Sequence, residues 1–331
     1  MRCQACGHES LPGAAYCEMC GARIPRAPAV DKSRIKDHVA RVLAAVSKRG
    51  TTDTIIPAAI PPVVIIGVIL LYLIVIAALF GVALDMIEEN PDQTPSTEEL
   101  IDRSGPAFVI MEMASIAFYA FLGVLFYFLI RRLNRHFERE AELRNALIEL
   151  VKASAQDTVA TQAITSNIYE LEYLWEEARS VEQKRNPTIW GIIMASPAIM
   201  SAASLTLTAG GDSAGSVYSK LYGIELLINV LWIIASLYII YILGKTIYEH
   251  DSRWLGFATS ARGAMTALGF PAGPEFSVGR IKSRSFILYL ILTVITVGLF
   301  MIYWLYVLVK DPNEHFESQW EFEDNIVAAL T

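Results

Sequence analysis

Residues 63–84 read VVIIGVILLYLIVIAALFGVAL, twenty-two consecutive positions without a charge. A helix of about 20 apolar residues crosses the hydrocarbon layer, so this stretch makes the bilayer the solvent of the fold. Ala107 to Ile130 and Tyr222 to Leu243 repeat the pattern with one carboxylate each, Glu112 and Glu225. Thr188 to Thr208 is uncharged but interrupted by Pro197, and Ser285 to Val309 is uncharged with Gly298 near its middle. Composition agrees, because 54% of the 331 residues are hydrophobic and only 18% charged, with a mean hydropathy of +0.41. A soluble domain of this length is less apolar. The expected fold is an all-α polytopic membrane protein with four spans and a fifth apolar segment, either a re-entrant hairpin or a fifth span.

Lys and Arg near the spans set the orientation. Residues 23–50 carry eight basic against two acidic groups, whereas residues 85–105 carry one against seven. Arg131, Arg132 and Arg135 follow the second span, and Arg280, Lys282 and Arg284 precede the last apolar segment. The amino terminus is therefore expected in the cytosol of a multi-pass cell-membrane protein, with residues 85–105 outside. If the fifth segment turns near Gly298, the acidic tail returns to the cytosol; a plain span leaves it outside.

All four cysteines fall in the first twenty residues as Cys3-x2-Cys6-x10-Cys17-x2-Cys20. Each pair curls a turn that aims two thiolates at one centre, and two turns complete the tetrahedral shell that Zn2+ favours. Gly7 and Gly21 follow the second cysteine of each pair, where a backbone without Cβ turns back most easily. Four sulfurs leave no open position, so one structural Zn2+ per chain is expected. Two disulfides, a dithiol switch or iron are the competing readings. No cysteine lies beyond residue 20, as a reducing compartment permits, and no secretory signal is read ahead of these cysteines, so they are expected in the cytosol.

On these cysteines and the two Cys-Gly knuckles, residues 1–22 resemble the small double-Cys-x2-Cys zinc-ribbon family. The resemblance implies an adaptor module without chemistry of its own. Tyr16 reads as the ribbon's packing residue. With Arg2 set against Glu9 and Glu18, the module lacks the basic patch of a nucleic-acid footprint, and nucleic acid is not an expected partner.

Residues 23–54 form a linker and a basic amphipathic helix, with Ile35, Val39, Val42, Leu43 and Val46 on one face. That face could lie along an anionic leaflet, or the segment is an ordinary positive-inside flank. A membrane hairpin occupies 55–130. No glycine or proline occurs between Gly123 and Pro187, so the second span runs on as a helical arm over 131–187. Leu143, Leu147, Leu150, Ile164, Ile168, Leu171, Trp175 and Ala178 keep a three-four spacing like a coiled-coil seam. Ser154, Asp157 and Thr161 make its centre polar, which also fits a hairpin turn. The stripe must be covered by its own return helix, by a second copy in a homo-oligomer, or by a partner.

A second hairpin follows over 188–245, then a cytosolic loop or helix over 246–284, the membrane segment 285–310 and an acidic tail 311–331. Tyr127, Tyr241 and Tyr306 each end a span, and nine residues later come His136, His250 and His315. His136-Phe137-Glu138 matches His315-Phe316-Glu317, whereas His250-Asp251 departs. The unit reads as a hairpin followed by a cytosolic helix. The segment Thr293 to Tyr306, with Gly298 and Tyr303-Trp304-Leu305-Tyr306, resembles a family of prokaryotic membrane proteins known only as a domain of unknown function. The likeness is best over 280–318 and carries no activity with it.

Glu112 and Glu225 are ionisable groups inside predicted spans, and with Asn229 they could line an ion, proton or solute path. Near the outer helix ends they could equally reach headgroup water. His136, His250 and His315, with Glu138 and Glu317 close by, suit a metal, or else cap helices beyond the membrane. No P-loop, dinucleotide fingerprint, His-Glu-x-x-His or nucleophile elbow is present. The expected function is a membrane scaffold or adaptor that presents the ribbon and arm to a cytosolic protein, in contact with membrane lipids. A small transporter or channel using Glu112, Glu225 and Asn229 is the alternative. A metalloenzyme using the three histidines is the third.

Overall fold

The computed structural model describes residues 5–8, 16–22, 33–89, 96–156, 162–271 and 281–331. Cys3, Pro25, Pro28, Asp157, Thr161 and Arg280 lie outside them. The chain is helical: α1 (Lys36–Ser47), α2 (Arg49–Thr52), α3 (Ile60–Glu89), α4 (Thr97–Arg103), α5 (Gly105–Ala155), α6 (Gln162–Val181), α7 (Pro187–Ala195), α8 (Pro197–Ala209), α9 (Ala214–Ala267), α10 (Phe286–Ile295) and α11 (Phe300–Leu330). Three of these, α3, α5 and α9, are long and apolar enough to cross a membrane, and the α7–α8 pair makes a fourth if its 44° bend lies within one span. The bend falls at Pro197, which has no N–H to continue the ladder.

Helix α3 is apolar on every side, and of its residues only Pro61 and Val75 are buried, as expected of a helix facing lipid. Helices α5 and α7 touch through small residues. A Cβ on Gly123 would meet Ala195 Cβ and the Gly191 carbonyl at 2.8 Å, so the absence of a side chain sets the helix separation.

The fifth apolar segment is a hairpin. Helix α10 has ten residues, about 15 Å long and roughly half a bilayer core. The chain turns over 296–299, where Val297 and Gly298 take φ of +51° and +89°. Arg284 Nε and Nη2 then donate to Asp311 at 2.9 and 2.8 Å, closing the open end, while Tyr289 packs edge-on against Trp304.

Beyond the apolar zone α5, α9 and α11 continue as one helical body with α1 and α6. Ile35, Val42 and Val46 of the first segment share a core with Leu143, Leu147, Leu150, Leu171, Trp254, Phe257, Phe322 and Ile326. Two alternatives left open by the residue spacing are resolved here. The apolar face of α1 is spent on α5 and α11, so it does not lie on a leaflet. The stripe on the arm is covered by its own return helix α6, which also packs on α9, so of the two forms open to it the chain takes the hairpin and not the continuous seam.

Candidate metal centre

His136 and Glu140 stand one turn apart on α5, where i and i+4 project from the same face. His250 comes from α9 and His315 from α11. All four are fully buried, at 0–1% exposure. The Nε2 atom of His136 lies 3.2 Å from that of His250 and 3.2 Å from that of His315. Glu140 Oε2 is 3.2 Å from His136 Nε2 and 2.8 Å from His250 Nε2. One donor atom from each residue therefore falls within 4.8 Å of every other.

Each ring is turned to this point by a carboxylate behind it. His136 Nδ1 lies 3.1 Å from Asp53 Oδ1, His250 Nδ1 2.8 Å from Glu182 Oε1, and His315 Nδ1 2.8 Å from Asp251 Oδ1. These carboxylates are themselves held. Arg139 Nη2 and Trp320 Nε1 donate to Asp53 at 2.7 and 3.0 Å, Arg253 Nε to Glu182 at 3.2 Å, and the Ile281 amide to Asp251 at 3.3 Å. Arg144 pairs with Glu140.

Proton counting decides what this arrangement suits. A neutral imidazole has one N–H, and when it points from Nδ1 to a carboxylate the Nε2 lone pair faces forward. When all three rings are neutral, three lone pairs and a carboxylate oxygen meet with no donor between them, and like partial charges at that distance repel; a proton on His250 relieves this only toward Glu140. A cation removes the conflict. Zn–N bonds of about 2.0–2.1 Å in a tetrahedron place neighbouring ligand atoms about 3.3 Å apart, which the 3.2 Å separations match. Metal-binding histidines characteristically carry such carboxylates behind them.

Without a metal the charges are uneven. Burial pulls His250 down, but Glu140 and Glu182 outweigh it and raise its pKa to about 9. Burial leads at His315 and pushes it down to about 4. Although burial opposes it, Arg144 and His250 hold the Glu140 carboxyl well below the usual carboxylate range.

Two carboxylates expected near the histidines are elsewhere. Glu138 points outward and pairs with Lys184 at 2.6 Å, and Glu317 is exposed. Each sits two residues past its histidine, about 200° round the helix, so neither can share the histidine's face. The four-residue step from His136 to Glu140 was the available signal for the fourth ligand. Nothing local marked Asp53, Glu182 or Asp251 as partners of distant histidines.

The amino-terminal cysteines form a second group. Cys6, Cys17 and Cys20 bring their sulfurs within 4.8 Å of one another, with Cys6 Sγ 3.5 Å from Cys17 Sγ. Gly7 and Gly21 take φ of +75° and +68°, and the Gly21 amide donates to the Cys17 carbonyl at 2.9 Å. Three closely spaced thiols of this kind suit a metal. Tyr16 does not pack inside the module; it is 62% exposed, and Met19 is 72% exposed. The chain thus has two candidate metal clusters among its described residues, where one metal was expected.

Glu112, Glu225 and Asn229 are brought together as well. They line a cavity of about 160 Å³ between α3, α5, α8 and α9, with Tyr72 Oη 2.7 Å from Ser115 Oγ on its wall. This cavity lies within the apolar zone, away from the histidines.

Residues 284–328 match the family model of a domain of unknown function (DUF4234). The matched segment is α10, the turn and most of α11, and it contains His315. No curated protein and no solved structure matches the chain.

Proposed function

We propose that this membrane-spanning helical protein is a scaffold whose cytosolic body is held together by a structural metal ion, Zn2+ being best suited, bound by His136, Glu140, His250 and His315. The observation that carries this reading is the convergence of four buried donors, three of them imidazoles each fixed by its own carboxylate. Three nitrogens and one oxygen complete a tetrahedron and leave no open position, which fits a structural rather than a catalytic site. The metal would join α5, α9 and α11 where they leave the apolar zone.

The adaptor part of the reading rests on the amino-terminal module, proposed as a zinc ribbon completed by Cys3. Its exposed Tyr16 and Met19 offer surface to engage a cytosolic protein. Metal analysis of the purified chain tests both sites. Two equivalents of zinc are expected in the intact protein, one after His136→Ala with His315→Ala, and one after Cys6→Ser with Cys17→Ser. A single equivalent lost with the cysteines would reject the histidine centre.

A further inference from the structure

A cleft of about 310 Å³ opens between the start of α3 and the middle of α5, at the end of the apolar zone nearer the histidines. Its walls are apolar, with Val124 and Phe128 55% and 48% exposed, and Phe121 beside them. Its rim carries Arg131, Arg132 and Arg135 and no carboxylate.

Arg132 sets this cleft apart from an ordinary basic flank. It is 2% exposed, yet its hydrogen bonds go to neutral acceptors: Asn313 Oδ1 at 2.7 Å and the Val309 and Thr54 carbonyls at 3.0 and 3.4 Å. Its Nε has no hydrogen-bond partner. A buried guanidinium without a counter-charge is costly, and an arginine that only marked the membrane surface would extend into water. Arg131 donates to the Tyr127 hydroxyl at 3.5 Å, also a neutral group, and Arg135 is exposed.

A second basic cleft, between α9, α10 and α11, supplies the contrast. It is lined by Lys245, Lys282 and Arg284, but there Asp311 neutralises Arg284 through two hydrogen bonds. One basic cleft carries its own anion, and the other lacks one.

We propose that the cleft between α3 and α5 binds an anionic phospholipid, its phosphate among Arg131, Arg132 and Arg135 and an acyl chain along Phe121, Val124 and Phe128. Depth and wall chemistry select a lipid over a free anion. Headgroup phosphates sit where a spanning helix ends, and basic pockets at that level are suited to acidic lipids. An inorganic phosphate would leave the apolar wall unfilled.

Native mass spectrometry of the full chain in mild detergent tests this, with phosphatidylglycerol, phosphatidylcholine and inorganic phosphate added separately. Phosphatidylglycerol is expected to bind roughly tenfold or more tightly than phosphatidylcholine, and phosphate to compete weakly. Arg131→Gln with Arg135→Gln should remove that preference while metal content stays unchanged, which shows the fold intact. Lys245→Gln with Lys282→Gln should leave it in place. Equal binding of the two lipids, full competition by millimolar phosphate, or an equal loss in both double variants would overturn the assignment.

Discussion

The two candidate metal clusters differ most in how far apart their ligands lie along the chain. The cysteines span Cys6 to Cys20 and sit in a module with Cys6 and Cys20 exposed, whereas the histidines reach from His136 to His315 and are fully buried. In the first, the ligands lie at most 14 positions apart, on described turns at Cys6 and at Cys17 to Cys20. In the second, three long helices must pack correctly before any donor meets another, and every ring needs a carboxylate from a different part of the chain. A metal at the cysteines can order only its own loop. A metal held by the histidines would join α5, α9 and α11.

The sharpest way to break this contrast is to compare stability. Replacing both His136 and His315 by Ala should lower the thermal midpoint in detergent by roughly 10 °C, because removing partners of a buried charged group typically costs about 3 kcal/mol or more. Cys6→Ser should leave the midpoint within about 2 °C, since none of the module's described residues belongs to the helical core. Equal losses, read by a thiol-independent unfolding dye, would show that the two sites do not differ in reach.

The next effect is smaller and tests the carboxylates behind the rings. Asp251→Asn should weaken metal binding at the histidine centre by about 10- to 100-fold in a chelator competition. Glu138→Gln, two residues from His136 but on another face, should leave it unaltered. An unchanged affinity in Asp251→Asn would mean that His315 is oriented by packing alone.

The smallest effect is in the pH dependence. The pKa of His250 is raised to about 9 in the metal-free fold, above its ordinary value of 6.5. Its contacts with Glu140 and Glu182 therefore stabilise that form fully below about pH 6.5, and this contribution is lost as pH rises through 9. A metal must displace the same proton, so affinity should rise up to about tenfold per pH unit between 7 and 9 and then level off. Calorimetry in buffers of different ionisation enthalpy reads the released proton. No release at pH 7.5 would show that His250 is already neutral.

Much of the membrane layout was legible in the residues. Apolar runs located α3, α5, α9 and the α7–α8 pair, and Gly298 marked the turn of the last hairpin, because an unbroken apolar period and a left-handed turn are local properties. The arm's three-four spacing left a continuous seam and a hairpin both open, since it is compatible with any helical neighbour; only packing showed that the return helix α6 covers it together with α9. The three histidines were found by their common distance from a tyrosine. Their carboxylates were not, for Asp53 precedes His136 by 83 positions and Asp251 precedes His315 by 64.

The sequence by itself determined that this is a helical membrane chain with a cysteine module, because hydropathy and short ligand spacing act within a few turns of backbone. Only the tertiary structure decided which acids face which histidines, that Glu140 rather than Glu138 completes the cluster, and that Arg132 is buried without a carboxylate. Those facts depend on how helices rotate and pack against one another, and no residue carries that information in its immediate neighbours.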